Sequence, residues 1–408
     1  MSELRGDEKL VRERVDQLIE EGDPDDRTAF LGRQYDLGIA WVQFPEGFGG
    51  LGVSPGLQRI VAERLADAGV QMGFRGGIGM GMAAPTIAVH GNDEQRRRYL
   101  RPLFTGEEVW CQLFSEPGAG SDLASLATRA ERDGDEWIVN GQKVWTSGAH
   151  LARRGILVTR TDPSVPKHRG LTYFLLDMTS PGVEVRPLRQ MTGAAEFNEV
   201  YMTDVRVPDD DRLGDVGNGW AVALTTLMNE RVSIGGGAAV ARPSATPAAG
   251  TRMGAAGEAR RVWEERGRPG GDVARDRLVA QWIKGEVLRL MNLRSAASRK
   301  AGTPGPDGSL AKLGFSEVNK SSTALAIDLM GMDGTLYATY DLVDRPGHER
   351  TAPSGRDDIL RRSFLRARAN SIEGGTSEVL RNIIGERVLG LPGDVRVDKD
   401  LPWSEVPR

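Results

Sequence analysis

The spacing of apolar and polar positions divides the chain into three stretches. From residue 8 to about residue 105 the period is helical: Leu10, Val11, Val15, Leu18 and Ile19 recur at intervals that put them on one helix face. Further helical runs are predicted over about 57–68 and 93–104, and the loop Phe44-Pro45-Glu46-Gly47-Phe48-Gly49-Gly50-Leu51-Gly52 punctuates them. Near Val109 the texture changes. Trp137-Ile138-Val139 follows the turn-forming Asp133-Gly134-Asp135, a hairpin signal. Gly155 to Thr159, Leu171 to Leu176, Val183 to Arg186 and Glu199 to Val207 are short β-type runs bounded by Gly, Pro, Asp and Asn. From Trp220 the helical period returns, with four long helices predicted over 220–240, 272–300, 312–331 and 355–390. Between the first two lies a stretch rich in Ala, Gly and Pro, in which Gly254 to Arg266 is a shorter helix candidate; Thr303-Pro304-Gly305-Pro306-Asp307-Gly308 is a linker. The predicted fold class is α+β: an N-terminal all-α domain (1–107), a central antiparallel β domain (108–215) and a C-terminal four-helix bundle (216–408).

Composition narrows the function classes. The 408 residues leave room for two or three domains, and 39% hydrophobic with 27% charged residues is the balance of a soluble globular protein. The net charge of -4 is spread along the chain, which argues against nucleic acid or an anionic membrane as partner. The single cysteine, Cys111, excludes an internal disulfide, suits a reducing cytoplasm and reads as a small buried hydrophobe. Met1 to Glu8 is polar, without the apolar run of a signal peptide or membrane span. His90, His150, His168 and His348 are too dispersed for metal-ligand spacing.

Three segments carry candidate chemistry. In Trp110-Cys111-Gln112-Leu113-Phe114-Ser115-Glu116-Pro117-Gly118-Ala119-Gly120-Ser121-Asp122, small residues let backbone N–H groups approach a ligand and hydroxyls add adjustable donors. An ordinary turn explains the same residues. In Asn140-Gly141-Gln142-Lys143-Val144-Trp145-Thr146-Ser147-Gly148, Trp145 is either a core anchor at a strand end or an aromatic wall beside a planar cofactor. In Ser371-Ile372-Glu373-Gly374-Gly375-Thr376-Ser377-Glu378, Thr376 or Ser377 caps a helix. A cap does not require two glycines, which also permit close approach of a ligand.

Together these segments resemble the acyl-CoA dehydrogenase family over nearly the whole chain, with Ser115-Glu116-Pro117-Gly118-Ala119-Gly120-Ser121-Asp122 the most specific signature. Pro45 to Gly52 looks like that family's N-terminal loop, and Gly91-Asn92-Asp93-Glu94-Gln95-Arg96 to Leu100 resembles its next helix. The resemblance implies FAD as cofactor and a coenzyme A thioester as substrate, desaturated between Cα and Cβ. It also implies an electron-transfer-flavoprotein-type acceptor and a homotetramer. By similarity, Gln112, Phe114 and Ser115 line the flavin ring, Gly120 and Ser121 contact flavin and the coenzyme A chain, and Trp145 and Ser147 wall its edge. Thr376, Ser377 and Glu378 occupy the family's dinucleotide-contacting turn, and the backbone N–H of Gly374 falls where the family stabilises the thioester oxygen.

The base is where this chain departs from much of the family. Many members place a glutamate immediately before Gly-Thr; here Gly374 holds that position and Glu373 is displaced by one residue, which re-aims its side chain. A minority, including isovaleryl-CoA dehydrogenase, carries the base on an earlier helix. Leu227-Met228-Asn229-Glu230-Arg231-Val232-Ser233-Ile234-Gly235-Gly236 resembles that pattern, with Glu230 as base and Arg231 near the coenzyme A moiety. Leu224, Leu227, Met228 and Val232 flank the pair, so Glu230 is expected at the edge of an apolar wall, where desolvation strengthens a carboxylate as proton acceptor. Gly235-Gly236-Gly237 just beyond is either a helix crossing or a means of widening the acyl pocket for a branched or bulky substrate. The family's Arg-x-x-Phe-Gly element, which reaches the FAD pyrophosphate from a neighbouring subunit, has no counterpart: the chain reads Glu265-Arg266-Gly267-Arg268-Pro269-Gly270-Gly271-Asp272 there, with Arg266, Arg268, Arg275 and Arg277 as substitutes. That gap keeps two alternatives open beside the dehydrogenase, a flavin-binding oxidase or monooxygenase on the same fold and a non-catalytic partner subunit of a heterotetramer.

Overall fold

The computed structural model describes residues 2–70, 77–234, 254–300, 307–336, 355–395 and 397–407. They belong to two compact units: one comprises Met1–Pro187, Phe197–Asn229 and Val397–Arg408, the other Leu188–Glu196 and Glu230–Arg396.

The first unit opens with helices α1 (Ser2–Glu21), α2 (Arg27–Asp36), α3 (Gln58–Asp67), α4 (Ala84–His90) and α5 (Asp93–Thr105). The predicted apolar face of α1 buries Val11, Val15 and Leu18 with Phe30, Ile39, Val42, Ile60 and Leu65. The glycine-rich loop folds tightly onto itself: a Cβ on Gly50 would lie 2.0 Å from the Phe44 carbonyl oxygen. Helix α5 begins with a reciprocal cap, in which the Asn92 side chain accepts from the Gln95 N–H and the Gln95 side chain accepts from the Asn92 N–H. One turn of π-helix, Gly79–Ala83, leads into α4; hydrophobic spacing carries no signal for it.

The strands are β1 (Trp110–Leu113), β2 (Arg129–Asp133), β3 (Glu136–Ser147), β4 (Arg154–Arg160), β5 (Leu171–Asp177), β6 (Val183–Leu188) and β7 (Phe197–Pro208). They form one sheet in the order β1-β4-β2-β3-β7-β6, with β5 paired to β4. The β2–β3, β3–β7 and β4–β5 ladders are antiparallel as expected, but β1 runs parallel to β4, Trp110 opposite Arg154, and β2 meets β4 in parallel. Alternating apolar positions specify which face a strand buries, not which way its neighbour runs, so this mixture is invisible in the pattern. Cys111, Leu113, Val139, Leu157, Phe174, Val200 and Val205 fill one side of the sheet. Helix α6 (Gly219–Ile234) follows.

The second unit contains α7 (Gly254–Glu265), α8 (Gly271–Lys300), α9 (Asp307–Met330), α10 (Arg356–Ala367) and α11 (Ser377–Arg387). Helix α9 is central, packing on α7, α8, α10 and α11. Ala259, Val262, Ala274, Leu278, Leu325, Ala326, Leu329, Met330 and Leu360 form the shared core. Two expectations change. Asp307 and Gly308, read as linker, already form the first turn of α9. The helix expected over 355–390 is interrupted between α10 and α11, because Gly374 and Gly375 adopt φ of 63° and 94°, which no helix accommodates. Gly235-Gly236-Gly237 and the remainder of the predicted 220–240 helix lie outside the described residues. Among the described residues, no helix is long and apolar enough to cross a membrane.

Candidate active site

In the first unit the signature loop is built on a buried ion pair. Lys143, fully buried on β3, donates to Glu116 Oε1 at 2.9 Å and to the Phe114 carbonyl at 3.0 Å. Glu116 also accepts from the N–H groups of Ala127 at 2.7 Å and Thr128 at 2.9 Å. Burial pushes the Glu116 carboxyl up, but Lys143 and the Ala127 N–H outweigh it and hold the group below its ordinary value. Glu116 and Ala119 exchange two backbone hydrogen bonds across Pro117-Gly118. The anchored stem therefore presents Gly118, Gly120 and Ser121 to solvent, with Ala119 buried beneath them. The Ser115 carbonyl accepts from the Val144 N–H at 2.9 Å, tying the loop to the Trp145 strand. Gln112 is half-buried on β1, and the Phe114 ring is packed edge-on against Tyr173, supporting the loop from below.

Trp145 has a backbone φ of 62°, uncommon for a bulky residue. It sits in a β-bulge, since Lys143 pairs with Val200 and Thr146 with Asn198, which leaves two residues of β3, Val144 and Trp145, against one of β7, Glu199. Asn198, fully buried, fixes the bulge by donating to the Thr146 carbonyl at 3.0 Å. The bulge turns the Trp145 ring outward: it is 61% exposed and touches the Phe197 ring edge-on at 6.1 Å. Ser147 is half-buried at the end of the same strand.

Glu230 lies on α6, eight residues after Val222 and four after Thr226. Those two are fully buried, so the carboxylate continues their helix face and is itself half-buried. Thr226 anchors the helix through hydroxyl contacts to Tyr173 at 3.0 Å and Thr86 at 2.9 Å. In place of a purely apolar wall, Glu230 acts electrostatically on two cations, Arg231 and Lys312; Leu224 and Met228 are exposed, Leu227 is partly buried, and the Val232 side chain lies outside the described residues. Burial lowers the Arg231 guanidinium's affinity for its proton, Glu230 raises it and Arg387 lowers it further. Lys312 donates to the Asn370 carbonyl at 2.8 Å and to the Gly375 carbonyl at 2.6 Å, holding the double-glycine turn.

Glu373 is engaged elsewhere. Both its oxygens accept from Arg366, at 3.2 and 2.7 Å, and Asn370 adds a third donor at 2.7 Å. Thr376 caps α11 by accepting from the Val379 N–H at 3.2 Å. Ser377 is buried, and its hydroxyl has no partner among the described residues. Glu378 is an exposed ion-pair partner of Arg381.

Sequence reasoning missed Lys143, Glu116, Phe197 and Lys312. The signal for the first pair was a lysine and a glutamate of opposite charge, one in each motif. For Lys312 there was none, since its partners are backbone carbonyls 58 and 63 residues away. Of the arginine substitutes, Arg266 pairs with Asp333 and Asp357, Arg277 with Asp328 and Arg275 with Asp272, while the Arg268 guanidinium stacks on Trp263.

Comparison with known proteins gives the class. The acyl-CoA dehydrogenase N-terminal, middle and C-terminal domain models match residues 7–107, 111–205 and 217–389 in that order. The chain belongs to the acyl-CoA dehydrogenase family of oxidoreductases. Among relatives, it is 39% identical over 362 residues to acyl-CoA dehydrogenase FadE34 of Mycobacterium tuberculosis, an alignment covering 88% of this chain but 45% of that protein. It is 36% identical over 374 residues to acyl-CoA dehydrogenase IpdE1 of the same organism, covering 91% and 90%. The ChsE4-ChsE5 complex from Mycobacterium tuberculosis shares the fold with a TM-score of 0.68 at 30% identity, covering 95% of this chain and 98% of that one. The Tcur3481-Tcur3483 steroid acyl-CoA dehydrogenase does so with a TM-score of 0.70 at 25% identity, covering 96% and 98%.

Proposed function

We propose that this chain catalyses FAD-dependent α,β-dehydrogenation of an acyl-CoA thioester, with Glu230 as the base. The observation that carries this reading is the contrast between the two candidate carboxylates. Both oxygens of Glu373 are taken by Arg366 and Asn370; Glu230 is half-buried on the face that continues Val222 and Thr226, within electrostatic reach of Arg231 and Lys312. FAD fits the residues present: the Trp145 ring is exposed on a fixed backbone, Ser115 and Ser147 offer hydroxyls, and Ser377 carries a buried hydroxyl without a partner among the described residues. Gln112, Gly120, Ser121, Thr376 and Glu378 complete the set that would hold it. When bound, FAD supplies the acceptor for the hydride leaving Cβ. The Glu230 carboxylate removes the α-proton, and the Gly374 N–H donates to the thioester oxygen as it gains enolate charge. The φ of 63° at Gly374 sets the direction of its peptide, and Lys312 holds the turn by gripping the next residue's carbonyl. Arg231 and Ser121 bind the coenzyme A portion.

Likeness to a steroid acyl-CoA dehydrogenase supports a bulky, ring-bearing acyl group. Assembly is supported by α8, along which Val279, Trp282, Ile283, Val287, Leu290 and Leu293 are each about half exposed. A homotetramer covers such a stripe with further copies of this chain. A mixed tetramer covers it with a related chain, and the pairing of Arg266 within its own chain favours the search for a partner's arginine. The electron acceptor is an electron-transfer-flavoprotein-type protein, and the expected setting is the cytoplasm.

The test is anaerobic. Purified yellow protein is mixed with ring-bearing and straight-chain acyl-CoAs, and flavin absorbance is followed. Bleaching by ring-bearing thioesters supports the proposal, and a straight-chain preference refutes the substrate class. Glu230→Gln keeps the colour and slows bleaching by about 10²–10⁴-fold; unimpaired bleaching moves the base elsewhere. Colourless protein favours the partner-subunit reading, and bleaching only by reduced nicotinamide favours a monooxygenase.

A further inference from the structure

The C-terminal segment returns to the signature loop. The matched C-terminal domain ends at residue 389, and residues 397–407 belong to the same compact unit as the sheet. Their contacts converge on the turn that follows Gly120-Ser121. The Trp403 indole N–H donates to the Ser125 carbonyl at 3.2 Å. Lys167 bridges Asp122 of the turn at 2.8 Å and Asp398 of the segment at 2.7 Å. Backbone hydrogen bonds from Trp403 to Val165 at 2.9 Å and from Ser404 to Pro163 at 3.0 Å fasten the segment to the loop before β5.

Arg160 joins the two layers. Its guanidinium is buried and donates to the carbonyls of Ala124, Leu126 and Lys167, and it stacks over the Trp403 ring at 4.5 Å from the centroid. The carbonyls of three consecutive residues, Ala124, Ser125 and Leu126, are therefore held by Arg160 and Trp403. The turn itself is a single 3₁₀ turn, Leu123–Ser125, whose own hydrogen bonds hold little. Upstream, Gly118 and Gly120 have open space around them and Ser121 is exposed, so the loop's exit runs through Asp122 into a turn whose Leu123, Ala124 and Leu126 side chains are buried.

We propose that residues 397–405 act as a strap that positions the Gly120-Ser121 backbone for the coenzyme A chain, with Trp403 and Asp398 as its positioning residues. This rests on the dehydrogenase reading above. The strap fixes a loop that otherwise samples several arrangements, a cost then met at each binding event.

Three measurements on the holoprotein test it. Hydrogen exchange is compared in wild type, Trp403→Ala, Trp403→Phe and Asp398→Asn. In Trp403→Ala the amides of Ser125 and Leu126 exchange about tenfold faster while those of Leu157 and Phe174 in the β4–β5 ladder do not change. Acyl-CoA kinetics then show KM raised about fivefold, the scale of one lost hydrogen bond, with kcat changed less than about twofold. Titration with coenzyme A alone shows the same weakening. Trp403→Phe keeps the ring over Arg160 and restores part of the effect. Unchanged exchange at 125–126 overturns the strap, and so does altered exchange with an unaltered KM and coenzyme A affinity. Wild-type protein that neither binds coenzyme A nor bleaches with any acyl-CoA refutes the dehydrogenase reading instead, and the exchange result still decides whether the strap holds the turn.

Discussion

Lys143→Met is the sharpest test of how the signature loop is built. The side chains are similar in length, so the change removes charge and hydrogen bonds more than volume. Lys143 is fully buried and donates at 2.9 Å to Glu116 and at 3.0 Å to the Phe114 carbonyl. Methionine strands a carboxylate whose side chain is 8% exposed, with only the Ala127 and Thr128 N–H groups left to it. Breaking a buried pair from one side costs about 3–5 kcal/mol, and the two remaining donors place this case near about 3. The double variant Lys143→Met/Glu116→Gln leaves no stranded charge and should lose about 1–2 kcal/mol. Urea unfolding of the sheet unit, followed by hydrogen exchange in β3 and β4, reads both values without requiring the whole chain to unfold in one step. The pH dependence follows from the direction of the Glu116 shift. Its folded value lies below the ordinary 4.5, so the wild-type contribution is complete above pH 4.5 and is lost as pH falls through the folded value. Without Lys143, burial dominates and raises the folded value, so the deficit of the single variant should shrink on acidification toward pH 4.5. A single variant that loses under about 1 kcal/mol, or a double variant as unstable as the single, would refute this account.

Glu373→Gln should retain acyl-CoA bleaching and lose about 1 kcal/mol or less, because its ion pair with Arg366 is about one-third exposed and screened; abolished bleaching at unchanged colour would make Glu373 the base. Gly375→Ala forces a side chain to φ of 94° and should cost at least about 1–2 kcal/mol in urea unfolding, with slower bleaching as the turn shifts. Trp145→Gly relieves a positive φ while removing an exposed ring, so the unfolding midpoint should stay within about 1 kcal/mol of wild type as flavin content falls. Cys111 is fully buried, and burial pushes its thiol well up; it should react with an aromatic disulfide reagent only at the rate of unfolding, and fast labelling of folded protein would contradict its placement.

The helices and strands were legible because their apolar positions recur at 3.6 and 2 residues, as in α1, the β2–β3 hairpin and α9. What periodicity did not contain was direction and irregularity. The parallel β1–β4 ladder depends on partners 44 residues apart, and the π-turn before α4 is set by packing, not by local residue type. Motifs pointed to the loop, to Trp145 and to Glu230, but not to what holds them. Asn198, Arg160 and Lys312 act mainly on backbone carbonyls, and a carbonyl leaves no mark in the sequence; Lys143 acts on a carboxylate 27 residues away. The break at Gly374-Gly375 was present as two letters, yet the helical pattern around it outvoted them.

The bulge in β3 has a consequence for any effort to re-engineer the cofactor wall. Its tryptophan is aimed by a count of residues and not by the side chains that touch it. Replacing Phe197 would change the ring's company without changing its heading. Deleting Val144 would leave Trp145 alone opposite Glu199, restore an even ladder and remove the positive φ that turns the indole outward, with Thr146 and Ser147 still paired to Asn198 and Phe197. Insertions and deletions, rather than substitutions, are the edits to which this wall is most sensitive.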